Sequence, residues 1–286
     1  MTPLQRDRFL ICCIYLFIAL CGGLTWWLSP TDSDLYAFLA ADLVMTVVCF
    51  IISRWKRNSS VYDAYWSVIP FLLVLLLSIL YRDGNTWYHW LTFGVVSLWS
   101  WRLTFNWARG WHGFGHEDWR YVDLARQTGS LYPLVDFLGI HLFPTALVFG
   151  GLWPLFYVWP GTVQYGGWCV AGIGVSLLGT WLEYTADNQL AAFRRRPHPR
   201  VEELLDTGIW ARCRHPNYLG ELLFWAGLFL IGQGFGAPWY TVAGTVAMVL
   251  LFVGISIPMK EKRMAARRPG YAAYRAAVPL LIPKLF

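Results

Sequence analysis

Apolar residues in this chain run in long unbroken blocks, without the strict alternation of half-buried strands or the narrow stripe of a surface helix. A bilayer core about 30 Å thick calls for roughly 20 apolar residues per helix. That ruler predicts eight spans, near Phe9 to Leu28, Leu35 to Ile52, Val61 to Leu80, Tyr88 to Phe105, Val135 to Trp159, Trp168 to Leu182, Tyr218 to Gly232 and Trp239 to Ile257. Several are short or interrupted, so the pattern supports seven or eight. The expected fold class is an all-α, polytopic membrane helical bundle forming a single integral membrane domain over residues 1–286. The first block reads as a retained span, because its apolar run exceeds the roughly 7 to 15 residues of a secretory signal core and no A-x-A site follows.

Charge then orients the bundle. With both termini in the cytoplasm, every Lys and Arg except Arg82 falls on the inner side, in clusters at Arg6 to Arg8, Arg54 to Arg57, Arg102 to Arg126, Arg194 to Arg214 and after Pro258. This is the bias that sets membrane topology. It gives the net charge of +6 an explanation that requires no nucleic acid. The expected location is a bacterial inner membrane, with the working site toward the cytoplasm.

Composition agrees. The chain is 57% hydrophobic and only 14% charged, with a mean hydropathy of +0.43, whereas soluble domains carry about 25% charged residues. An ordinary water-soluble enzyme is excluded. Eighteen Trp, eighteen Phe and fifteen Tyr fit a protein with much of its surface at lipid headgroup level. Six Cys, without a CxxC pair, argue against a disulfide framework or a zinc site.

On this topology, sequence-distant polar residues converge on one membrane face: Asp63, Arg102, Glu183, Asp187, Asn217 and Glu221. An ionisable group near the hydrocarbon costs roughly 2.5 to 3.5 kcal/mol on insertion scales, so it has a partner or a task. Two stretches stand out. In LEYTADNQLAAFRRRP, Glu183, Asp187 and Arg194 share one helical arc. They suit either an ion-paired helix end or a nucleotide, with Arg194, Arg195 and Arg196 offering forked bonds to phosphate. In TGIWARCRHPNYLGELLFW, Pro216 fits the first position of a helix whose free amides face Arg212, Arg214 and His215, an arrangement that favours anions. Capping and interface anchoring are the plain alternative for Asn217, Tyr218 and Glu221. Asp42 and His141 lie within spans, nearer the outer half, where an interhelical hydrogen bond is the ordinary expectation.

ADNQLAAFRRRP, RHPNYLGE and the ending MKEKRMAARRPGYAAYRAAVPLLIPKLF, with HEDWRY upstream at His116 to Tyr121, resemble the steroid 5-alpha-reductase family and specifically its DUF1295 branch. The resemblance covers roughly residues 102 to 286. It implies an integral membrane reductase that uses NADPH to saturate a carbon–carbon double bond conjugated to a carbonyl in a lipid-like substrate, with membrane lipids around it and no obligate protein partner. It places cofactor contacts at Asp187, Arg194, Arg195, Arg214, His215, Asn217, Tyr218 and Glu221, and in the tail at Lys262, Arg263, Tyr271 and Tyr274. Residues 1–134 would line the substrate cavity and 135–286 would form the nucleotide pocket. No Gln-Glu dipeptide of the steroid enzymes occurs in the chain. VYDAYW, Tyr62 to Trp66, stands at about its place, so the resemblance carries reduction and not steroid specificity.

Hydride addition to an enone builds charge on the carbonyl oxygen and leaves an enolate that must be protonated, so a phenol or a neutral carboxyl is required there. Tyr62, Asp63, Glu117 and Tyr121 are the catalytic candidates, Asp63 with Tyr62 foremost; interfacial anchoring and N-capping by Asp63 are their plain alternative. Tyr65 is a further phenol. His112 and His116, four residues apart, do not amount to the several histidine boxes of membrane di-iron enzymes, and no metal is expected. Two other functions compete. One is an S-adenosylmethionine-dependent methyltransferase of the isoprenylcysteine carboxyl methyltransferase type, which shares an RHPNYLGE-like signature; Glu261, alone between Lys260 and Lys262, favours the reductase. The other is a non-catalytic lipid-binding protein.

Overall fold

The computed structural model describes residues 1–196 and 203–283, and every regular element among them is helical. Pro197 of the first motif and residues 284–286 of the last lie outside the described residues. The chain divides into two compact units, Met1–Pro160 and Gly161–Phe286. Residues 135–160, grouped with the C-terminal half by sequence, belong to the first.

In the first unit, α1 (Pro3–Trp27) starts at a capping box between Thr2 and Gln5, and α2 (Asp34–Lys56) stops where Arg57 turns left-handed at φ 51°. A tight turn over Ser59–Ala64 leads into α3 (Tyr65–Leu80), and α4 (Trp87–Gly110) returns beside it. Ala64 occupies the cap position of α3, so Asp63 does not serve as its N-cap. The short α5 (Trp119–Thr128) and α6 (Tyr132–Val135) follow, then a π-helical turn over Asp136–Leu142 and α7 (Phe143–Leu152), which packs on α2 and α3.

In the second unit, α8 (Gly166–Arg194) and α9 (Pro216–Gly234) form an antiparallel pair. After them come α10 (Val242–Leu251), a second π turn over Phe252–Ser256, α11 (Ile257–Arg267) and α12 (Tyr271–Ala277). Both π turns end two residues before a proline, Pro144 and Pro258. Proline brings no N–H and crowds the carbonyl four residues back, so the helix widens ahead of it. The first widening aligns Asp136 with His141, five residues on: the His141 Nδ1 lies 3.1 Å from both the backbone and the carboxylate oxygen of Asp136. His141 also meets Ser53 at 3.1 Å. That places it toward the Arg54 end of α2.

Among the described residues, five helical segments are long and apolar enough to cross a membrane: Pro3–Trp27, Asp34–Lys56, Ser59–Leu80, Trp119–Tyr157 and Trp239–Arg267. The class of an integral membrane protein is thereby supported. The α4, α8 and α9 helices have the length, but carry more Trp, Gly and polar residues and are not among the five.

Glycines set the spacing of α8 and α9. A Cβ on Gly179 would stand 2.4 Å from the Gly220 carbonyl, and one on Gly227 would stand 2.1 Å from the Ser176 hydroxyl and 2.5 Å from the Gly172 carbonyl. Where lipid removes the hydrophobic drive between helices, such close backbone contact supplies the dispersion energy that joins them. Ser176 adds a hydrogen bond of 3.1 Å to the Phe224 carbonyl.

Candidate functional site

Each unit assembles its own polar cluster. In the first, residues 58–63 are laced to residues 114–121. Asn58 caps the tight turn through Ser60 N at 2.9 Å and donates its amide to the carbonyls of Phe114 (2.8 Å) and His116 (3.0 Å). Glu117 accepts the Ser59 amide at 2.6 Å, and the Asp118 amide donates to Ser60 Oγ at 2.8 Å. Gly113, at φ +93°, lets the loop pass under Asp7, whose carboxylate takes the Phe114 amide at 3.1 Å. The lacing brings Tyr121 onto Asp63, and its hydroxyl donates at 2.6 Å. Arg120 forks onto Asp118 at 2.8 and 3.2 Å beside the Tyr121 ring.

Of the four catalytic candidates, the structure therefore pairs Asp63 with Tyr121. Tyr62 points elsewhere: it is buried and shares a hydrogen bond of 2.8 Å with Thr145. The Glu117 carboxylate is held by backbone and acts as a clamp of the loop. The rings of His112 and His116 are 5.7 Å apart, and among the described residues no group of three His, Cys, Asp or Glu is placed to hold a metal ion.

The second cluster centres on Glu261, read in the sequence only as a lone acid among lysines. Its Oε1 receives Arg214 Nε at 3.0 Å, His215 Nε2 at 2.9 Å and the Tyr271 hydroxyl at 2.6 Å. Arg275 stands 3.5 Å from Oε2. Arg214 further donates to the carbonyls of Arg275 (2.6 Å) and Val278 (2.7 Å), so most of its guanidinium ties down the tail. Tyr274 bonds the Trp210 carbonyl at 2.6 Å, and Trp210 reaches the Ala186 carbonyl of α8 at 3.2 Å. A lone acid in a strongly basic tail was the available signal, but its three donors lie up to 47 residues away.

The other cofactor candidates are placed as follows. Helix α9 starts at Pro216 with His215 at its cap, and Tyr218 stacks on His215 (5.6 Å, 9°) under Lys260. Asn217 keeps a buried Oδ1 without a hydrogen bond. Glu221 is buried and accepts Trp225 Nε1 at 3.0 Å. Asp187 and Arg268 both act on the charge of Arg194. Arg194, Arg195 and Lys262 are exposed, and Arg263 is half-buried.

Burial pulls the His215 imidazole below its ordinary value of 6.5; the Glu261 carboxylate opposes that shift, while Lys260 and Arg214 add to it. Burial also raises the phenol of Tyr271, helped by Glu261, and lifts that of Tyr274 to about 12. His215 is thus a neutral donor to Glu261 near pH 7. The unfolded chain takes up the proton at about pH 6.5, more readily than the folded one, so stability is full above that pH and falls as pH drops below it. Melting curves should show this acid loss in the native protein and not in His215→Asn; parallel pH profiles would refute it.

No solved structure matches the chain. An uncharacterized protein of the fission yeast Schizosaccharomyces pombe is 25% identical over 273 residues, covering 86% of this chain and 79% of that protein. Residues 49–278 match the family described as DUF1295, protein of unknown function. That span holds both clusters, Asp63 with Tyr121 and Glu261 with its donors, and the chain belongs to the DUF1295 family.

Proposed function

We propose that this protein is a membrane-embedded reductase that uses NADPH to saturate a carbon–carbon double bond conjugated to a carbonyl in a lipid-like substrate. The observation that carries the reading is the hydrogen bond of 2.6 Å between Tyr121 and Asp63, a phenol and a carboxyl brought together from 58 residues apart. With Asp63 protonated, its own proton goes to the Tyr121 oxygen and the phenol is free to donate to a substrate carbonyl, stabilising the charge that develops there. The same pair can then protonate the enolate.

NADPH supplies the hydride when bound. Exposed Arg194, Arg195 and Arg196 at the end of α8 suit its 2′-phosphate, and the unbonded Asn217 Oδ1 offers an acceptor to an amide. We read α4, α8 and α9 as further spans, which with the five gives eight, and the Lys and Arg distribution as placing both termini and the site in the cytoplasm of a bacterial cell.

Purified protein should consume NADPH with conjugated lipid carbonyls and yield products heavier by two hydrogens. Tyr121→Phe should lower turnover by about 10²-fold without changing NADPH affinity. Arg194→Ala should weaken the quenching of tryptophan fluorescence by NADPH. Full turnover in Tyr121→Phe would remove the pair from the reaction. A product gaining a methyl group from S-adenosylmethionine would replace the reductase with a methyltransferase.

A further inference from the structure

A second constellation lies inside the first unit, away from Asp63 and Tyr121. Helix α2 carries Asp42, Thr46, Cys49 and Ser53 on one stripe, all at most 2% exposed. Along the helix this stripe extends roughly 16 Å, about half of a bilayer core. From Asp42 a continuous run of hydrogen-bonded hydroxyls leads across three helical segments. Tyr65 donates to the Asp42 carboxyl at 2.6 Å, and Thr46 lies 3.1 Å from the Tyr65 hydroxyl. Thr46 meets Thr145 at 2.9 Å, and Thr145 meets Tyr62 at 2.8 Å. Tyr62 and Tyr65 are stacked at 4.9 Å, which holds the two phenols in register.

Two features separate this chain from ordinary interhelical bonding. Its end member is a carboxylic acid that meets hydroxyls and not a basic side chain, although a charge at such depth costs roughly 2.5 to 3.5 kcal/mol even on insertion scales. A neutral acid escapes that penalty and, unlike an amide, has a mobile proton. The two ends of the chain also differ in what adjoins them. One turn from Asp42 toward the Asp34 end, Phe38 is fully buried between Trp26 and Phe156, at 6.2 and 5.5 Å, so apolar rings adjoin the acid on that side. At the other end Tyr62 lies against the His141 ring at 4.9 Å, and beyond His141 are Asp136, Ser53 and the half-exposed Arg54.

We propose that Asp42 is a proton-storage site inside the membrane, which exchanges its proton with Tyr62 through Tyr65, Thr46 and Thr145. Each of the four hydroxyls can donate in either direction along the chain. In one transfer the Asp42 O–H bond breaks, each hydroxyl takes one proton and passes one on, and Tyr62 hands one proton to a solvent water, which leaves as hydronium. Asp42 is left as a carboxylate, and the reverse sequence reloads it. The titratable groups facing the chain are Cys49, Tyr15 and, against Tyr62, His141.

Infrared spectra of the full-length protein in lipid vesicles test this without any substrate. A protonated-carboxyl band that shifts down in D2O should be present, should vanish in Asp42→Asn, and should move to higher frequency in Tyr65→Phe, which loses the hydrogen bond to it. In Thr145→Val the deuteration of that band should be roughly tenfold slower, because the link to Tyr62 is cut. Should Asp42→Asn misfold, Tyr65→Phe and Thr145→Val still report on the native carboxyl. Loss of only carboxylate bands in Asp42→Asn, an unmoved band in Tyr65→Phe, or unchanged deuteration in Thr145→Val would each overturn the proposal. None of these readouts depends on NADPH, so failure of the reductase reading would be seen separately.

Discussion

Replacing Gly227 by Leu should separate α8 from α9 and leave the second unit unable to reach its native packing. A Cβ there already falls 2.1 Å from the Ser176 hydroxyl, 2.5 Å from the Gly172 carbonyl and 2.7 Å from the Ser176 amide. Backbone atoms cannot rotate away as a side chain can, so the helices must part and lose contact along the seam. Overpacking of a flexible core costs about 1 to 3 kcal/mol; against backbone we expect the upper end or beyond, a fall in Tm of roughly 10 °C or more. Gly179→Leu should behave alike, since its Cβ would sit 2.4 Å from the Gly220 carbonyl. Gly174, exposed on the same helix with no heavy atom within 4 Å of its would-be Cβ, is the control, and Gly174→Ala should melt like the native protein. A Gly227→Leu protein that melts with the Gly174→Ala control would show that the seam is not close-packed.

The second large effect is expected at Glu261. Removing its carboxylate in Glu261→Ala leaves the Arg214 Nε, His215 and Tyr271 donors facing an empty, buried acceptor position. Breaking a buried pair by deleting one partner costs about 3 to 5 kcal/mol, because the remaining charge is uncompensated. The half of the interaction made by Arg275 adds little, as that side chain is 64% exposed. The consequence should be local: α12 and the strand of chain at Val278 are held by Arg214, which Glu261 orients. Limited proteolysis should therefore release the tail near residues 271–278 while α8 and α9 stay protected, and Glu261→Gln, which keeps an acceptor oxygen, should lose less. Equal protease resistance in Glu261→Ala and native protein would contradict this role.

How much of this could be read beforehand follows the range of the forces involved. Pro216 at a helix start and the continuation of α8 through Glu183 and Asp187 to Arg194 both depend on a few neighbouring residues, and sequence indicated them. Sequence put Asp63 with Tyr62 foremost, and could not show that the hydrogen-bond partner of Asp63 is Tyr121. In the tight turn over Ser59–Ala64 successive side chains diverge, sending Tyr62 to Thr145 and Asp63 to Tyr121. Glu261 was passed over for a related reason: it was weighed only as a lone acid between Lys260 and Lys262, whereas its donors come from the start of α9 and from α12.

From its sequence by itself, this chain is determined to be helical, built of long apolar blocks with its cations gathered in clusters between them. Those properties are sums of short-range terms: transfer of side chains into lipid, obligatory intrahelical hydrogen bonding there, and caps within a turn. Only the tertiary structure decided which glycine meets which across α8 and α9, that Glu261 gathers three donors, and that Asp42 is joined through hydroxyls to Tyr62. Each of these depends on groups up to about a hundred residues apart arriving within 3 Å. A pattern read along the chain contains the candidates for such meetings, but the packing energy that selects among them exists only once the helices are in contact.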